Sequence, residues 1–351
     1  MKIVIDELPL HSGHAARGMG VYTRRLIESL EKELTSKREI SLDTFVFSEN
    51  RGRLAEYDIV HYPYFDIFYH TLPLRKDTKT VVTVPDVTPL LYPEYYPPGI
   101  KGRLNFILQK RALSNVNAVV TISETSKKDI VRFLDIPSKK VFVTKLAGNF
   151  STKRVSTSQL SKISRKYNLP KEFILYIGDV NWNKNLLRLI KAVKRIDETL
   201  VIVGKSAVRD EYDKDHIENK PLREIQERYG NDKQVMRLGF VEDNDLNAIW
   251  QLATVYCMPS LYEGFGLSVV EAMEAGVPVV CSRTQVLVEV AGDSAVYFDP
   301  YSENDIAEKL KYVMSNKKIQ KDLVSKGFFR AKKYSWQKTA LETIKVYEKL
   351  R

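Results

Sequence analysis

The chain has 351 residues, of which 44% are hydrophobic and 28% are charged, and its formal net charge is +11. These proportions are typical of globular proteins and exclude wholesale disorder or a fibrous protein, and the length suggests two domains. No run approaches the roughly 20 apolar residues of a membrane-spanning helix, and two cysteines are too few for a disulfide framework or a four-cysteine zinc site. We therefore expect Cys257 and Cys281 to be reduced core residues.

Short apolar runs alternate with longer segments of helical period along the chain. In the first half the predicted strands are 2–6, 42–47, 58–61, 80–84, 118–122 and 141–144, and the predicted helices are 20–34, 101–113 and 124–134. In the second half the predicted strands are 173–177, 200–203, 235–238, 255–258, 277–281 and 295–298, and the predicted helices are 184–195, 222–229, 245–252, 267–275 and 304–314. This alternation predicts parallel sheets covered by helices on both faces.

The chain is expected to divide near its middle. Residues 148–170 are polar, basic and rich in serine and threonine, which predicts a linker. We therefore expect one doubly wound domain over 1–165, a second over 166–330, and a closing helix within 331–351 that begins after the capping residue Ser335. Because parallel sheets bind ligands beyond the carboxyl ends of their strands, two facing domains predict an active site in the cleft between them.

The positive charge is concentrated in residues 101–165, which contain 14 lysines and arginines against three acidic residues. A stretch of this kind attracts anions such as acidic lipid headgroups or phosphorylated substrates, although a solvated basic face remains an alternative. No nucleic-acid motif accompanies it, so we expect no nucleic-acid partner. The acidic opening MKIVIDELPL is atypical of a secretory signal, which favours a cytoplasmic location.

The most informative segment is PSLYEGFGLSVVEAMEA, residues 259–275, where a glycine-rich loop leads from a strand into a helix. Gly264 and Gly266 allow the backbone to approach a ligand closely, and the helix start supplies free N–H groups that suit a diphosphate. Glu263 and Glu271 place two carboxylates beside these N–H groups. A ligand with both phosphates and hydroxyls, such as a nucleotide sugar, fits this combination.

The spacing of Glu263 and Glu271 resembles the Glu-x7-Glu signature of glycosyltransferase family 4, whose members are retaining enzymes with the GT-B fold. Further segments resemble that family in order along the chain, namely residues 17–27, 83–97, 121–130, 175–193, 238–246 and 334–350. The pattern is most similar to the bacterial mannosyltransferase-like group that builds surface polysaccharides. The resemblance implies two Rossmann-like doubly wound domains facing across a cleft, with a C-terminal helix that crosses back to the first domain.

The resemblance also implies roles for individual residues. Glu263, Lys184 and Asp86 would be catalytic, with Glu263 on the donor sugar and Lys184 as the cation for the leaving diphosphate. Glu271 would bind the ribose hydroxyls. The full set of implied donor-binding residues is Gly18, Gly20, Asn183, Lys184, Phe240, Val241, Glu263, Gly264, Phe265, Gly266, Leu267 and Glu271. Lys101, Arg103, Lys110 and Arg111 would lie on the acceptor or membrane side.

Two positions depart from the family pattern. Asn183 stands where an arginine is frequent, and Pro85 stands where a histidine is usual. Lys205 or Arg103 would be an alternative second cation, and His61 would be an alternative to the missing histidine. A lone histidine at a strand end is more often structural.

These observations lead to one expected function and two alternatives. We expect a metal-independent, cofactor-free transferase that moves a mannose- or glucose-type hexose from a nucleotide diphosphate sugar to a glycan acceptor. We expect that acceptor to be lipid-linked and the protein to contact the inner face of the cell membrane peripherally. The alternatives are a transferase with a soluble acceptor and a nucleotide-sugar binding protein without catalysis.

Overall fold

A computed structural model of the protein describes residues 1–12, 18–37, 39–149 and 154–351. Its contacts divide the chain into two compact units. The first unit consists of Met1–Ala147 together with Tyr334–Arg351, and the second consists of Gly148–Lys333.

Within its described residues, the first unit contains a parallel sheet of six strands in the order β2-β1-β3-β4-β5-β6. The strands are β1 (Lys2–Asp6), β2 (Ser41–Phe45), β3 (Ile59–Tyr62), β4 (Lys79–Thr83), β5 (Ala118–Thr121) and β6 (Val141–Val143). The helices before residue 147 are α1 (Leu8–His11), α2 (Gly18–Leu34), α3 (Thr88–Leu91), α4 (Gly99–Ser114) and α5 (Glu124–Leu134). Every residue of β3 and β5 is buried, because helices cover both faces of such a sheet.

The second unit repeats this architecture. Across the part of it that the structure describes, a second parallel sheet has the order β12-β11-β10-β7-β8-β9. Its strands are β7 (Ile174–Ile177), β8 (Leu200–Val203), β9 (Val235–Gly239), β10 (Val255–Met258), β11 (Val279–Ser282) and β12 (Ala295–Phe298). Its helices are α6 (Thr157–Lys166), α7 (Leu186–Arg195), α8 (Lys220–Tyr229), α9 (Asp243–Leu252), α10 (Leu267–Ala275), α11 (Gln285–Ala291), α12 (Glu303–Met314) and α13 (Lys317–Ala331).

Each sheet reverses its winding direction once. In the first sheet the reversal lies between β1 and β3, and in the second it lies between β7 and β10. The loops that leave neighbouring strands at such a reversal diverge to opposite faces of the sheet. The crevice that opens there, beyond the carboxyl ends of the strands, is where doubly wound sheets bind ligands.

The predicted linker over 148–170 is wrong for residues 157–166, which form α6. A capping box starts this helix: the Ser156 hydroxyl accepts from the Gln159 backbone N–H, and the Gln159 side chain accepts from the Ser156 N–H. At its other end, Lys166 and Tyr167 both donate to the Asp245 carboxylate on α9. These contacts hold α6 to the second unit, so the units divide at Ala147 and Gly148 rather than at residue 165.

The final helix, α14 (Trp336–Lys349), belongs to the first unit and begins after Ser335, whose side chain caps it as predicted. The hydroxyl of Tyr347 on this helix lies 2.6 Å from Nδ1 of His61. On the other side of the ring, Nε2 of His61 lies 2.9 Å from the Thr83 hydroxyl. Burial lowers the pKa of His61 to about 3, so the ring is neutral. The interpretation of His61 as a structural histidine is therefore confirmed.

All the predicted strands and helices are present, with ends that shift by a few residues. Sequence reasoning missed α1, α3, α6, α11 and α13. None of the helices in the described ranges is both long and apolar enough to cross a membrane.

Candidate functional site

Two loops meet at the point where the second sheet reverses. One follows β7 and contains a tight turn over Trp182–Lys184, and the other runs from Pro259 after β10 to the start of α10. The backbone N–H of Leu261 donates to the Asn183 carbonyl at 2.7 Å, which joins the two loops directly.

Asn185 strengthens this junction, and sequence reasoning missed it. Its φ of +56° lies in the left-handed region, which asparagine tolerates better than most residues. The buried side-chain amide donates to the carbonyls of Pro259 at 3.0 Å and Pro300 at 2.8 Å, and its oxygen accepts from Arg188. One side chain therefore fixes the β7 loop to two other loops. The sequence feature that could have indicated this role is the asparagine directly after Lys184, in the sequence Asn-Lys-Asn.

Asn183 also faces the neighbouring loop. This residue is buried, and its side-chain amide donates to the Tyr262 carbonyl at 3.2 Å. The expected contact of Asn183 with a donor stays a prediction. In the structure its amide holds the backbone immediately before Glu263.

Lys184 and Glu263 form an ion pair, with 2.7 Å between the ammonium nitrogen and Oε1 of the carboxylate. Both side chains are largely shielded, being 22% and 12% exposed. The Ser260 hydroxyl, which is buried, donates to the same carboxylate oxygen at 2.6 Å. Sequence reasoning placed Lys184 and Glu263 in one site but missed Ser260, whose hydrogen bond orients the Glu263 carboxylate.

The loop after Glu263 carries the predicted diphosphate site. Gly264, Phe265 and Gly266 are buried, and Leu267 begins α10. Gly266 precedes the helix with a φ of +94°, and a Cβ there would lie 2.6 Å from the Leu287 side chain. Only glycine fits this position without strain. Gly266, the N-cap residue of α10, has no side chain that could cap the first N–H groups, which leaves that helix end suited to an anion.

Glu271 lies on α10, one turn beyond its start. Its carboxylate accepts from the Asn149 backbone N–H at 3.3 Å, a contact that sequence reasoning did not anticipate. Burial raises the pKa of Glu271 to about 7, and this hydrogen bond opposes the rise only in part. The group therefore changes its charge near neutral pH.

The two residues expected near the base follow β9. Gly239, at the end of that strand, has a φ of +69°. The next side chain, Phe240, is 67% exposed, whereas Val241 is buried. Lys205, the alternative second cation, is exposed just beyond the end of β8. In the sheet, β8 lies between β7 and β9.

The remaining predicted residues belong to the first unit. Gly18 begins α2 and is exposed, while Gly20, two residues further along, is buried. Arg17, which begins the predicted glycine loop, lies outside the described residues. Asp86 follows β4, and its carboxylate accepts from the backbone N–H and the hydroxyl of Thr88 at the start of α3.

The four basic residues assigned to the acceptor or membrane side lie on α4. Lys101, Arg103 and Arg111 are exposed there. Lys110 is half-buried and its ammonium lies 2.6 Å from the Asp135 carboxylate. Lys110 is thus neutralised by a partner, and three of the four charges face solvent.

Two family models match the chain. The model described as glycosyl transferases group 1 matches residues 159–328, and the model described as glycosyltransferase family 4 matches residues 31–145. Together these matches cover most of both units.

Individual relatives agree with the family models. The chain is 29% identical to the O-antigen chain mannosyltransferase B of Escherichia coli over 82% of this chain and 75% of that protein. It is 28% identical to the serotype-specific mannosyltransferase WbdA of Escherichia coli over 78% of this chain, but it spans only 34% of WbdA.

Among solved structures, HepE from Anabaena, crystallised with UDP and glucose, superposes with a TM-score of 0.75 at 16% identity over 99% of this chain and all of that chain. This likeness confirms the predicted fold class. It shows the GT-B fold, and the two family matches together show that the chain belongs to glycosyltransferase family 4.

Proposed function

We propose that this glycosyltransferase moves a hexose of the mannose or glucose type from a nucleotide diphosphate sugar to a hydroxyl of a lipid-linked glycan in cell-surface polysaccharide biosynthesis. The observation that carries the proposal is the Lys184–Glu263 pair beside the uncapped start of α10, with Glu271 one turn away. Phosphates, sugar hydroxyls and ribose hydroxyls each find a suitable partner in this arrangement. The names of the curated mannosyltransferase relatives support mannose and a glycan acceptor.

In this proposal Glu263 binds hydroxyls of the donor sugar and Glu271 binds those of the ribose. Lys184 and the first N–H groups of α10 hold the diphosphate and stabilise the charge that develops as it leaves. Gly18 and Gly20 contribute to phosphate binding, the backbone at Phe240 and Val241 lies beside the base, and Asp86 contacts the sugar or acceptor.

We propose retention of the anomeric configuration. The bond between the anomeric carbon and the phosphate oxygen breaks, and the acceptor hydroxyl oxygen bonds to the same face of that carbon. The acceptor proton passes to the departing phosphate oxygen, so atoms and charge balance without a covalent enzyme intermediate. Product anomers are distinguished by proton NMR, and an inverted product would contradict this step.

The decisive experiment is transfer of radiolabelled hexose from nucleotide diphosphate mannose and glucose to a lipid-linked glycan extract. We expect a labelled glycan in the lipid phase with one of the two donors. Saturable donor binding without any product would favour the alternative of a binding protein. Labelling confined to water-soluble glycans would favour a soluble acceptor.

Metal independence is tested in the same assay with excess EDTA. We expect activity to persist, because Lys184 and the start of α10 supply the positive charge that a divalent ion would otherwise provide. Loss of activity that manganese restores would contradict this expectation.

A further inference from the structure

The helix α4 exposes four large apolar side chains, whereas Leu113 on the same helix is fully buried. Ile100 is 84% exposed, Leu104 60%, Ile107 64% and Leu108 41%. Their spacing places them on one stripe of the helix, since residues three, four, seven and eight apart share a face. We call these four residues the apolar ridge.

The opposite face of α4 is attached to the first unit by the apolar packing of Phe106, Ala112 and Leu113 and by polar contacts. The buried Gln109 side chain accepts from the backbone N–H groups of Thr71 and Leu72, and it donates to the Leu72 carbonyl at 3.1 Å. Asn105 donates to the Phe68 carbonyl at 2.9 Å. Because these bonds fix the rotation of the helix, the ridge cannot turn inward.

The inward face also requires a small residue. A Cβ at Gly102 would lie 2.9 Å from the Pro98 side chain and 3.5 Å from Phe68. The helix is therefore packed closely against the 66–72 segment while the four residues of the apolar ridge face solvent. A contiguous exposed apolar strip of this kind marks an interaction surface.

Charge identifies the partner. Lys101 and Arg103 flank the ridge on its two sides, and Arg111 continues its line by one turn. No acidic residue occurs between positions 99 and 114. Two copies of this chain that met ridge to ridge would bring these cations together without compensation, whereas an anionic lipid surface would compensate them.

We infer that α4 lies flat on an anionic membrane, with the apolar ridge inserted among the acyl chains and Lys101, Arg103 and Arg111 on the lipid phosphates. A helix of this length covers about 24 Å of the interface. The inference deepens the proposed function and rests on it in one respect, because a lipid-linked acceptor requires the first unit to reach a membrane.

The test is co-sedimentation of the full chain with phosphatidylcholine vesicles that contain or lack phosphatidylglycerol. We expect binding to the anionic vesicles and little to the neutral ones. The double variant Leu104→Gln/Ile107→Gln should weaken binding about tenfold at both low and high salt, since it removes insertion. Lys101→Gln/Arg103→Gln should weaken it about tenfold at low salt and much less at high salt.

Matched controls come from the second unit. Val288→Gln/Phe329→Gln also removes two exposed apolar side chains, and Lys318→Gln/Lys321→Gln also removes two exposed charges. Both controls should bind as the parent does. Circular dichroism and thermal unfolding verify that every variant is folded.

Insertion has its own readout. Brominated acyl chains should quench the tryptophan fluorescence of the Ile107→Trp variant. In Phe329→Trp they should quench no more fluorescence than in the parent, which contains only the native tryptophans. Absence of vesicle binding, or binding that the ridge variants leave unchanged, overturns the inference. The inference is also overturned if sedimentation velocity shows a dimer that the Leu104→Gln/Ile107→Gln substitutions dissociate and the parent does not bind vesicles.

Vesicle binding requires neither donor nor acceptor, so its outcome is separate from that of the transfer assay. Transfer of hexose to a glycan without vesicle binding would support the proposed function and contradict the membrane inference. Vesicle binding without hexose transfer would support the membrane inference and contradict only the proposed function.

Discussion

At the scale of single residues, the site in the second unit depends on side chains that hold backbone as much as on those that would touch a ligand. Asn183 and Asn185 flank Lys184, and each donates its amide to a carbonyl of another loop. Ser260 holds the carboxylate that pairs with Lys184. The cation and the carboxylate are thus positioned before a donor arrives, which lowers the cost of ordering them on binding.

Glu271 and Glu263 are expected to respond differently to substitution by alanine. Glu271→Ala should weaken binding of a free nucleoside diphosphate about tenfold to a hundredfold, because it removes charged hydrogen bonds to the ribose. Glu263→Ala should leave that affinity unchanged or increase it, because it removes the carboxylate that neutralises Lys184, and should mainly lower turnover. Isothermal calorimetry and the transfer assay measure the two effects. Equal losses of affinity in both variants would contradict the assignment.

The raised pKa of Glu271 predicts a pH dependence of nucleotide binding. The carboxyl loses its proton as the pH rises through about 7, and only the ionised form is free to accept hydrogen bonds with both oxygens. Affinity should therefore rise about tenfold between about pH 6 and about pH 8. Glu271→Gln serves as the control, since it keeps the titration of the nucleotide phosphates but lacks this group. Parallel pH profiles for the parent and the variant would refute the prediction.

At the scale of elements, hydrophobic periodicity located most of the helices, and α6 and α4 show two kinds of information that it lacks. The helix α6 has few apolar residues, and it was predicted as linker although Ser156 and Gln159 carry the pattern of a capping box. The helix α4 was predicted at 101–113 from its helical period, but that period gave no indication that the apolar ridge points outward. Contacts with other segments decide both cases, namely Asp245 for α6 and the 66–72 segment for α4.

The capping box of α6 gives a prediction for that element. Ser156→Ala should destabilise the helix by about 1 kcal/mol, because the Gln159 N–H loses its acceptor. Hydrogen exchange of the α6 amides should accelerate about fivefold. Ser161→Ala, an exposed position on the same helix, should not accelerate it. Unchanged exchange in Ser156→Ala would show that contacts with α9 alone hold the helix.

At the scale of the whole molecule, the chain leaves the first unit at Ala147 and re-enters it at Tyr334. The last helix is held there by polar bonds in a buried setting, where Tyr347 contacts His61 and the Thr339 hydroxyl donates to the Lys145 carbonyl. The first unit is therefore incomplete until residues 334–351 have been synthesised.

Removing one hydroxyl tests this dependence. Tyr347→Phe leaves Nδ1 of the buried His61 without its partner, which should destabilise the first unit by about 1–3 kcal/mol. Hydrogen exchange of β3 and β4 reports on that unit and should accelerate. Tyr69→Phe, at a position that is 70% exposed, is the matched control. Equal exchange in the two variants would mean that the tyrosine–histidine bond contributes nothing.

Local apolar runs in the sequence were enough to predict the order of the strands and of most helices along the chain and the parallel α/β architecture, and the family resemblance predicted the GT-B fold and placed Lys184 and Glu263 in one site. Tertiary structure alone decided that Asn185 and Ser260 support the site, that Asn149 contacts Glu271, and that Lys110 is neutralised by Asp135 while the apolar ridge of α4 faces outward. Each of these depends on a partner distant in the chain or on the face that a helix turns inward. Periodicity along a sequence does not specify either one.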